Sequence, residues 1–282
     1  MTIDDSKVSV KDMHTLHEIF TQNNWFSKSG QEQAYKSFMD MLVNFSDEQK
    51  NLILDLAKRY LWIGFNEYFQ AILDQLTIVE DAKLASCEKI IVFPIVKPKD
   101  IGKAKSSMPF LYMFRSVTFA GKRYEHINFE VVDSYTQIKR IKFGPKDLLF
   151  LVDDFVGSGD TLKITVEEIL KNETLKAEVI NVLTLVTQAE SLSKVKELKI
   201  SYYSAHTRTK GISDFYASSE IEAKISIMRS IEDFIPKIGQ YSLGYNKSEA
   251  LVSMHRTPNN TFPIFWMSYR KGGKVYKAPF LR

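Results

Sequence analysis

The chain is poor in the residues that define several protein classes. It has one cysteine, Cys87, among 282 residues. Neither an internal disulfide nor a cysteine-based zinc site can form, so we expect a reducing compartment. With 12 glycines and 8 prolines, the composition excludes collagen-like and glycine- or proline-rich disordered proteins. The longest apolar run, residues 90–96, contains a proline and is far shorter than the roughly 20 residues of a membrane span. We therefore expect no membrane association.

No charge of one sign dominates the sequence. The 38 lysines and arginines against 34 aspartates and glutamates give a formal net charge of +4, which does not by itself indicate nucleic-acid binding. Residues 1–6 are mostly polar and acidic, unlike the basic and apolar start of a secretory signal peptide. With 44% hydrophobic and 26% charged residues, the composition is that of a globular protein, and we expect a cytoplasmic location.

The first part of the chain carries helical patterns. Ser46 and Gln49 have the spacing of a capping box, in which each side chain binds the other residue's backbone N–H. Apolar residues recur at helical intervals in residues 10–20, 52–63 and 68–76. These patterns predict a helical N-terminal domain at residues 1–85.

From residue 86 onward, short β-branched runs alternate with helical patterns. The predicted strands are residues 90–95, 129–132, 148–152, 179–186 and 200–203. The predicted helices are residues 161–171 and 218–234. Because alternating strands and helices form right-handed crossover units, this order predicts an α/β domain at residues 86–282, with a mostly parallel sheet flanked by helices.

The most informative segment is the end of the third predicted strand. Two carboxylates, Asp153 and Asp154 (the acidic pair), follow an apolar run. A small-residue segment (the glycine loop) then opens a helix and consists of Val156, Gly157, Ser158, Gly159, Asp160 and Thr161. Glycines permit a tight turn, and the N–H groups at a helix N-terminus bind anions. Since carboxylates accept hydrogen bonds from hydroxyls, the combination predicts a ribose 5-phosphate ligand, with its phosphate at the loop and its hydroxyls at the acidic pair.

Other nucleotide-binding motifs do not fit this segment. A Walker loop needs a lysine where Asp160 stands. A dinucleotide fingerprint needs a third glycine where Leu162 stands. A receiver domain has an acidic pair near its N-terminus, without a glycine loop after it. The remaining alternative is an ordinary strand-turn-helix connection with a capping aspartate.

The segment resembles the ribose-phosphate signature of the type I phosphoribosyltransferases, in which apolar residues precede two acids, a small-residue loop and a threonine. The resemblance implies that family's mostly parallel sheet. It implies that Asp153 and Asp154 are catalytic residues that hold the ribose hydroxyls, and that residues 156–161 bind the 5-phosphate of phosphoribosyl pyrophosphate. The cofactor implied is Mg²⁺, which neutralises the pyrophosphate leaving group.

The segment after the first predicted strand, residues 96–107 (the lysine segment), is rich in cations and hydroxyls. Its candidate ligand-binding residues are Lys97, Lys99, Lys103, Lys105, Ser106 and Ser107. Such side chains can bind a polyphosphate, and a serine before a helix can cap its N-terminus. The alternative is a solvated lysine-rich loop, and common transferases of the type that it resembles have a more compact segment here.

A second unusual block lies near the C-terminus, at residues 257–266. Asn259 and Asn260 lie between two prolines, which favours a rigid loop with amide side chains in defined directions. These amides are candidates for recognising a nucleobase edge. The alternative is a turn that serves the fold alone.

This block resembles a Thr-Pro-Asn-Asn-Thr-x-Pro-x-x-Trp sequence in a divergent group of bacterial phosphoribosyltransferase-like proteins. That group shares the helical N-terminal part and the acidic pair, and the resemblance implies a C-terminal hood-like segment within residues 86–282. The group is associated with anti-phage defence, including retrons. The partners implied are a reverse transcriptase with its DNA or RNA, or a winged-helix protein.

Together these features predict a phosphoribosyltransferase-like effector that acts on nucleotides. Asp133 and His206, each after a predicted strand, are candidates for proton transfer. The alternative is a catalytically inactive protein that senses a nucleotide or phosphoribosyl pyrophosphate and docks on a partner. A third interpretation makes the helical N-terminal part the working surface. The oligomeric state is left open, a homo-oligomer included.

Overall fold

The structure, a computed structural model, describes residues 8–79, 81–103, 107–114, 116, 124–280 and 282. Its helices in chain order are α1 (Val10–Gln22), α2 (Gln31–Asn44), α3 (Asp47–Lys58), α4 (Tyr68–Ile78), α5 (Asp81–Ala85), α6 (Ser107–Met113), α7 (Tyr135–Ile138), α8 (Asp160–Ile169), α9 (Leu192–Glu197) and α10 (Ser218–Glu232). Its strands are β1 (Leu61–Trp62), β2 (Lys89–Pro94), β3 (Asn128–Val131), β4 (Asp147–Val156), β5 (Ile180–Gln188), β6 (Ser201–Arg208), β7 (Val252–Ser253), β8 (Tyr269–Lys271) and β9 (Lys274–Tyr276). None of these described helices is both long and apolar enough to cross a membrane.

The packing divides the chain into two compact units. Unit 1 comprises Met1–Gly64 and Thr209–Arg282, and unit 2 comprises Phe65–Arg208. This division differs from the predicted domains, 1–85 and 86–282, because the C-terminal segment shares a hydrophobic core with the N-terminal helices. The boundary at residue 85 stays a prediction about domains, whereas the packing places the junctions at residues 64 and 208.

Unit 2 contains a five-stranded parallel sheet in the order β3-β2-β4-β5-β6. Each of its strands overlaps one predicted strand, and α8 overlaps a predicted helix, so the predicted α/β class with a parallel sheet is confirmed. Strand β5 is buried at every position, as expected for an inner strand of a sheet covered on both faces. The strand order reverses at β2, which has β3 on one side and β4 on the other.

The helix after β4 packs through a stripe at helical spacing. Leu162, Val166 and Ile169 of α8 are buried in one cluster with Leu149 and Leu151 of β4. Residues three and four apart share one helix face, so this stripe holds the start of α8 against the sheet. The end of β4 and the beginning of α8 are therefore fixed relative to each other.

Unit 1 is built around aromatic side chains from both segments of the chain. The ring of Trp25 is stacked 5.9 Å from that of Phe38 and lies edge-on, 5.8 Å from that of Phe280, between centroids. Strand β1 pairs in parallel with β7, with Leu61 opposite Val252. Aromatic pairs in these geometries stabilise a core beyond their buried area.

The capping box predicted before α3 is confirmed. The Gln49 backbone N–H donates to Ser46 Oγ at 3.4 Å, and the Ser46 backbone N–H donates to Gln49 Oε1 at 3.1 Å. The apolar stripe that follows, including Leu52 and Leu56, is buried. A local sequence signal therefore sets the start of this helix, and burial of its stripe sets its orientation.

Gly244→Ala is expected to destabilise the protein strongly. Gly244 has φ +81° and ψ 158°, a conformation almost restricted to glycine. An added Cβ would also lie 2.0 Å from the Asn260 carbonyl oxygen. We expect the free energy of unfolding, measured by urea denaturation, to fall by about 3 kcal/mol.

Gly273→Ala is the matched control for this substitution. Gly273 has φ +77°, and an added Cβ would meet no described heavy atom within 4 Å. Only the left-handed backbone is then penalised, by about 1 kcal/mol. Equal losses for the two variants would contradict the close approach of Gly244 to Asn260.

Candidate functional site

The parallel sheet places the two predicted ligand-binding segments at the carboxyl ends of neighbouring strands. The glycine loop follows β4 and the lysine segment follows β2, and these strands are parallel neighbours at the point where the strand order reverses. In open α/β sheets, ligands bind outside the carboxyl ends of the strands at this reversal. The Val96 carbonyl accepts hydrogen bonds from Tyr135 OH and, at 3.1 Å, from Thr165 Oγ1 of α8. The end of β2 is therefore held against the helix that the glycine loop opens.

The acidic pair lies within the last four residues of β4. Asp154 is 2% exposed, and the Tyr68 hydroxyl of α4 donates to its Oδ2 at 3.3 Å. Asp153 is partly buried, and its Oδ1 accepts the Asp154 backbone N–H at 2.9 Å. Two adjacent carboxylates are thus held below the surface at the carboxyl end of an inner strand.

Burial and the neighbouring carboxylate make Asp153 costly to ionise. Burial raises the pKa of Asp153 well above its usual range, and the neighbouring charge of Asp154 raises it further. Burial also raises the pKa of the Tyr202 phenol to about 12, with a smaller contribution from the Asp153 charge. Tyr202 OH lies 2.6 Å from Thr187 Oγ1, which lies 2.9 Å from Thr184 Oγ1. A chain of buried hydroxyls therefore lies within the electrostatic reach of Asp153.

The glycine loop turns directly from β4 into α8. Gly159 has φ +79°, a left-handed backbone conformation that favours glycine. Ser158 Oγ donates to Asp160 Oδ2 at 2.7 Å, and Lys194 Nζ of α9 donates to Asp160 Oδ1 at 2.7 Å. These two hydrogen bonds lower the pKa of the Asp160 carboxyl. The acid in the loop is therefore ionised and paired with a lysine.

The lysine segment is only partly brought to the loop. Lys97 is partly buried, and its positive charge is among the causes of the lowered pKa of Asp160. Lys99 is exposed, and Lys103 Nζ forms a 2.7 Å ion pair with Asp100. The backbone of Ser107 begins α6. Lys105 and Ser106 lie outside the described residues. Among the side chains of this segment that the structure describes, Lys97 is the one that acts on the glycine loop.

The two asparagines near the C-terminus belong to unit 1, not to the unit of the acidic pair. The Asn259 carbonyl accepts the Tyr245 N–H at 2.8 Å. The Asn260 carbonyl accepts the Ala250 N–H at 3.1 Å and the Ser248 hydroxyl at 2.8 Å. These contacts favour the turn alternative for the block, and a ligand-binding role for its asparagines stays a prediction.

The two candidates for proton transfer have different surroundings. Asp133 is exposed, and its Oδ2 accepts from the Tyr112 hydroxyl at 3.4 Å. His206 is an exposed residue of β6, where partial desolvation and the Arg208 charge lower its pKa. Within the described ranges, no three His, Cys, Asp or Glu side chains come together as a metal site.

Sequence reasoning missed several residues of this site. Tyr68 and Lys194 lie on helices distant in sequence, and no local motif marks them. Thr184 and Thr187 had a usable signal, because they are hydroxyl side chains inside an otherwise apolar buried strand. Polar groups in such a position need partners and indicate a specific role.

Asp153→Asn is expected to change the pH dependence of stability. The folded pKa of Asp153 is raised, so between about pH 4 and that raised pKa the unfolded state loses its proton first. The stability of the native protein therefore falls across this window relative to the variant, which keeps an acceptor for the Asp154 N–H. We expect the variant to gain stability relative to the native protein as the pH rises through this window, with the full gain reached above the raised pKa.

Urea denaturation between pH 4 and pH 8 measures this difference. Asp160→Asn is the control with the opposite sign, because the pKa of Asp160 is lowered. Its carboxylate stabilises the folded state above about pH 4, by a small amount because the pair is exposed. A difference between Asp153→Asn and the native protein that does not change with pH would contradict the raised pKa.

Comparisons with solved structures find partial likeness. A purine phosphoribosyltransferase from Pyrococcus horikoshii Ot3 is 13% identical, with 52% of this chain and 87% of that chain covered and a TM-score of 0.32. An APRTase from Giardia lamblia, complexed with 9-deazaadenine, is 14% identical, with coverage of 58% and 86% and a TM-score of 0.33. A hypothetical protein from Neisseria gonorrhoeae with bound ppGpp is 12% identical, with coverage of 61% and 97% and a TM-score of 0.35.

Among curated proteins, none matches this sequence. The family model described as PRTase-CE matches residues 9–282. This match includes the acidic pair, the glycine loop, the lysine segment and the C-terminal block. Because it extends over nearly the whole chain, the protein belongs to the PRTase-CE family and is phosphoribosyltransferase-like.

Proposed function

We propose that this protein binds a phosphorylated ribose of the phosphoribosyl pyrophosphate type and uses this ligand in a reaction on nucleotides. One observation carries the proposal: two adjacent carboxylates and a glycine loop occupy the carboxyl end of β4, where the strand order reverses. The carboxylates accept hydrogen bonds from the 2- and 3-hydroxyls of the ribose. The loop N–H groups and the Thr161 hydroxyl bind the 5-phosphate, helped by the dipole of α8.

The proposed reaction is a displacement at the anomeric carbon of the ribose. A bond forms from the acceptor to this carbon, and the bond to the pyrophosphate oxygen breaks, with positive charge on the ribose ring in the transition state. The acidic pair lies close to the ring and stabilises that charge. Lys97 lies at the neighbouring strand end, where a cation favours departure of the pyrophosphate. The other residues of the lysine segment would extend this cationic surface.

The residues present fit a Mg²⁺ ion that binds together with the pyrophosphate. Proteins usually hold Mg²⁺ through one or two carboxylates, and the substrate phosphates supply further oxygen ligands. Asp153 and Asp154 provide such carboxylates. When bound, the ion would neutralise charge on the leaving group.

The double variant Asp153→Asn, Asp154→Asn is expected to lose this binding. Asparagine keeps the shape of the side chain but replaces an ionised acceptor, and hydrogen bonds to charged groups are worth roughly 1.5–3 kcal/mol each. We expect the affinity for phosphoribosyl pyrophosphate with Mg²⁺, measured by isothermal titration calorimetry, to fall by about a hundredfold or more.

Glu167→Gln is the control, because Glu167 is an exposed carboxylate on α8, the helix that the glycine loop opens. It removes one carboxylate from the neighbouring helix and should leave the affinity within about twofold. If the native protein does not bind phosphoribosyl pyrophosphate, the proposed function is wrong.

A catalytically inactive sensor is the second candidate, and one observation favours it. Lys103 of the lysine segment pairs with Asp100, and an acid stands in the phosphate loop at Asp160. A cation engaged elsewhere leaves less charge for a pyrophosphate. Pyrophosphate release during incubation with phosphoribosyl pyrophosphate and mixed nucleobases or nucleotides separates the two. Binding without any product would favour the sensor.

A role in anti-phage defence, in the cytoplasm, is part of the same proposal. It rests on the resemblance of residues 257–266 to the defence-associated group. The expected partners are a reverse transcriptase with its DNA or RNA, or a winged-helix protein. Purification of the chain from its native host, followed by identification of co-purifying protein and nucleic acid, tests this part separately.

A further inference from the structure

The acid at position 160 needs an explanation, because its charge repels a phosphate bound at the same loop. Both of its carboxylate oxygens are engaged. Oδ1 accepts from Lys194 Nζ and Oδ2 accepts from Ser158 Oγ, each at 2.7 Å. Lys194 lies on α9, so a segment distant in sequence contacts the glycine loop.

The ion pair between Asp160 and Lys194 is not a buried structural element. The two side chains are 51% and 45% exposed, and ion pairs that exposed contribute little to stability. The backbones that carry them are nevertheless close, since a Cβ added at Gly159 would lie 3.8 Å from Lys194 Cβ. The backbone of α9 therefore keeps Lys194 beside the loop whether or not the ion pair forms.

Two lysines act on Asp160 at the start of α8. Lys97 acts on it from the end of β2, and Lys194 acts on it from α9 with a 2.7 Å ion pair. Both ammonium groups therefore lie on the side of the N-terminus of α8, where the helix dipole also favours an anion. An ammonium group has three N–H donors, so one contact with Asp160 leaves donors for a phosphate oxygen.

We propose that Lys194 is a phosphate-binding residue of the glycine loop and that Asp160 orients its ammonium group toward the 5-phosphate. This inference rests on the proposed function, because it specifies a further contact at the same site. It also gives Asp160 a role, because the acid holds a lysine beside the glycine loop.

Lys194→Gln is expected to weaken binding of two probes, ribose 5-phosphate and inorganic phosphate, by about tenfold each in isothermal titration calorimetry. Lys196→Gln is the matched control, because Lys196 is also an exposed lysine of α9. It should leave both affinities within about twofold. If both variants have the same thermal unfolding midpoint as the native protein, a loss of affinity is not a loss of folding.

The Asp160→Asn background separates contact from neutralisation. If Lys194 contacts the phosphate, Lys194→Gln still weakens binding of ribose 5-phosphate by at least about threefold when Asp160 is already Asn. If Lys194 only neutralises Asp160, its replacement has no effect in that background, and the inference is wrong.

The outcomes also distinguish this inference from the proposed function. If the native protein binds phosphoribosyl pyrophosphate but neither probe, the proposed function stands and this inference is wrong. If it binds none of the three, both are wrong. If it binds ribose 5-phosphate but Lys194→Gln and Lys196→Gln behave alike, the proposed function stands and Lys194 is not a ligand-binding residue.

Discussion

The parallel pairing of β2 with β4 is the constraint on which the candidate site depends. Its register places Pro94 beside Val152, and the next residue, Ile95, donates its N–H to the Val152 carbonyl at 2.9 Å. The chain that leaves β2 is therefore level with the acidic pair. Because the strand order reverses here, the two connections diverge and leave a crevice between them. The side chains of the two loops determine which ligand the crevice can bind. The pairing of β2 with β4 determines that both loops can contact the same ligand.

The two carboxylates of the acidic pair meet different environments, and this difference bears on their chemistry. Asp154 has the Tyr68 hydroxyl of α4 as a donor, whereas the charge of Asp153 contributes to the raised pKa of Tyr202 on β6. Burial and the neighbouring Asp154 charge disfavour ionisation of Asp153. A ligand that donates hydroxyl hydrogens to these oxygens favours the ionised forms and reduces the cost of their burial. Perturbed groups of this kind concentrate at functional sites, which agrees with a hydroxyl-rich ligand more than with a structural role.

The sequence was sufficient where the deciding interactions are local. The strands of unit 2 were predictable because β-branched runs alternate with polar connections, and α3 because its capping box lies within four residues. The position of the acidic pair and the glycine loop between a strand and a helix was also predictable, since strand end, glycines and helix start are contiguous. Their role in binding a ligand stays a prediction. Tyr68 and Lys194 could not be found, because their contacts with Asp154 and Asp160 depend on how helices pack across the sheet. The grouping of residues 209–282 with the N-terminal helices was missed for the same reason, since a shared core leaves no periodicity that links its two halves.

That shared core also limits how the third interpretation of the chain, a working surface on the N-terminal helices, can be studied. Unit 2 is inserted in the sequence between the two segments of unit 1. The Tyr60 hydroxyl donates to the Val252 carbonyl at 3.0 Å, and the ring of Tyr60 stacks 4.6 Å from that of Phe280, between centroids. Removing the N-terminal segment would expose the apolar side of the C-terminal one, and such exposure destabilises a core by several kcal/mol per large side chain, about 3–5 for an aromatic. Loss of partner binding after truncation would then report unfolding, so only exchange of exposed residues on α1 and α2, with the core intact, can show whether this surface binds anything.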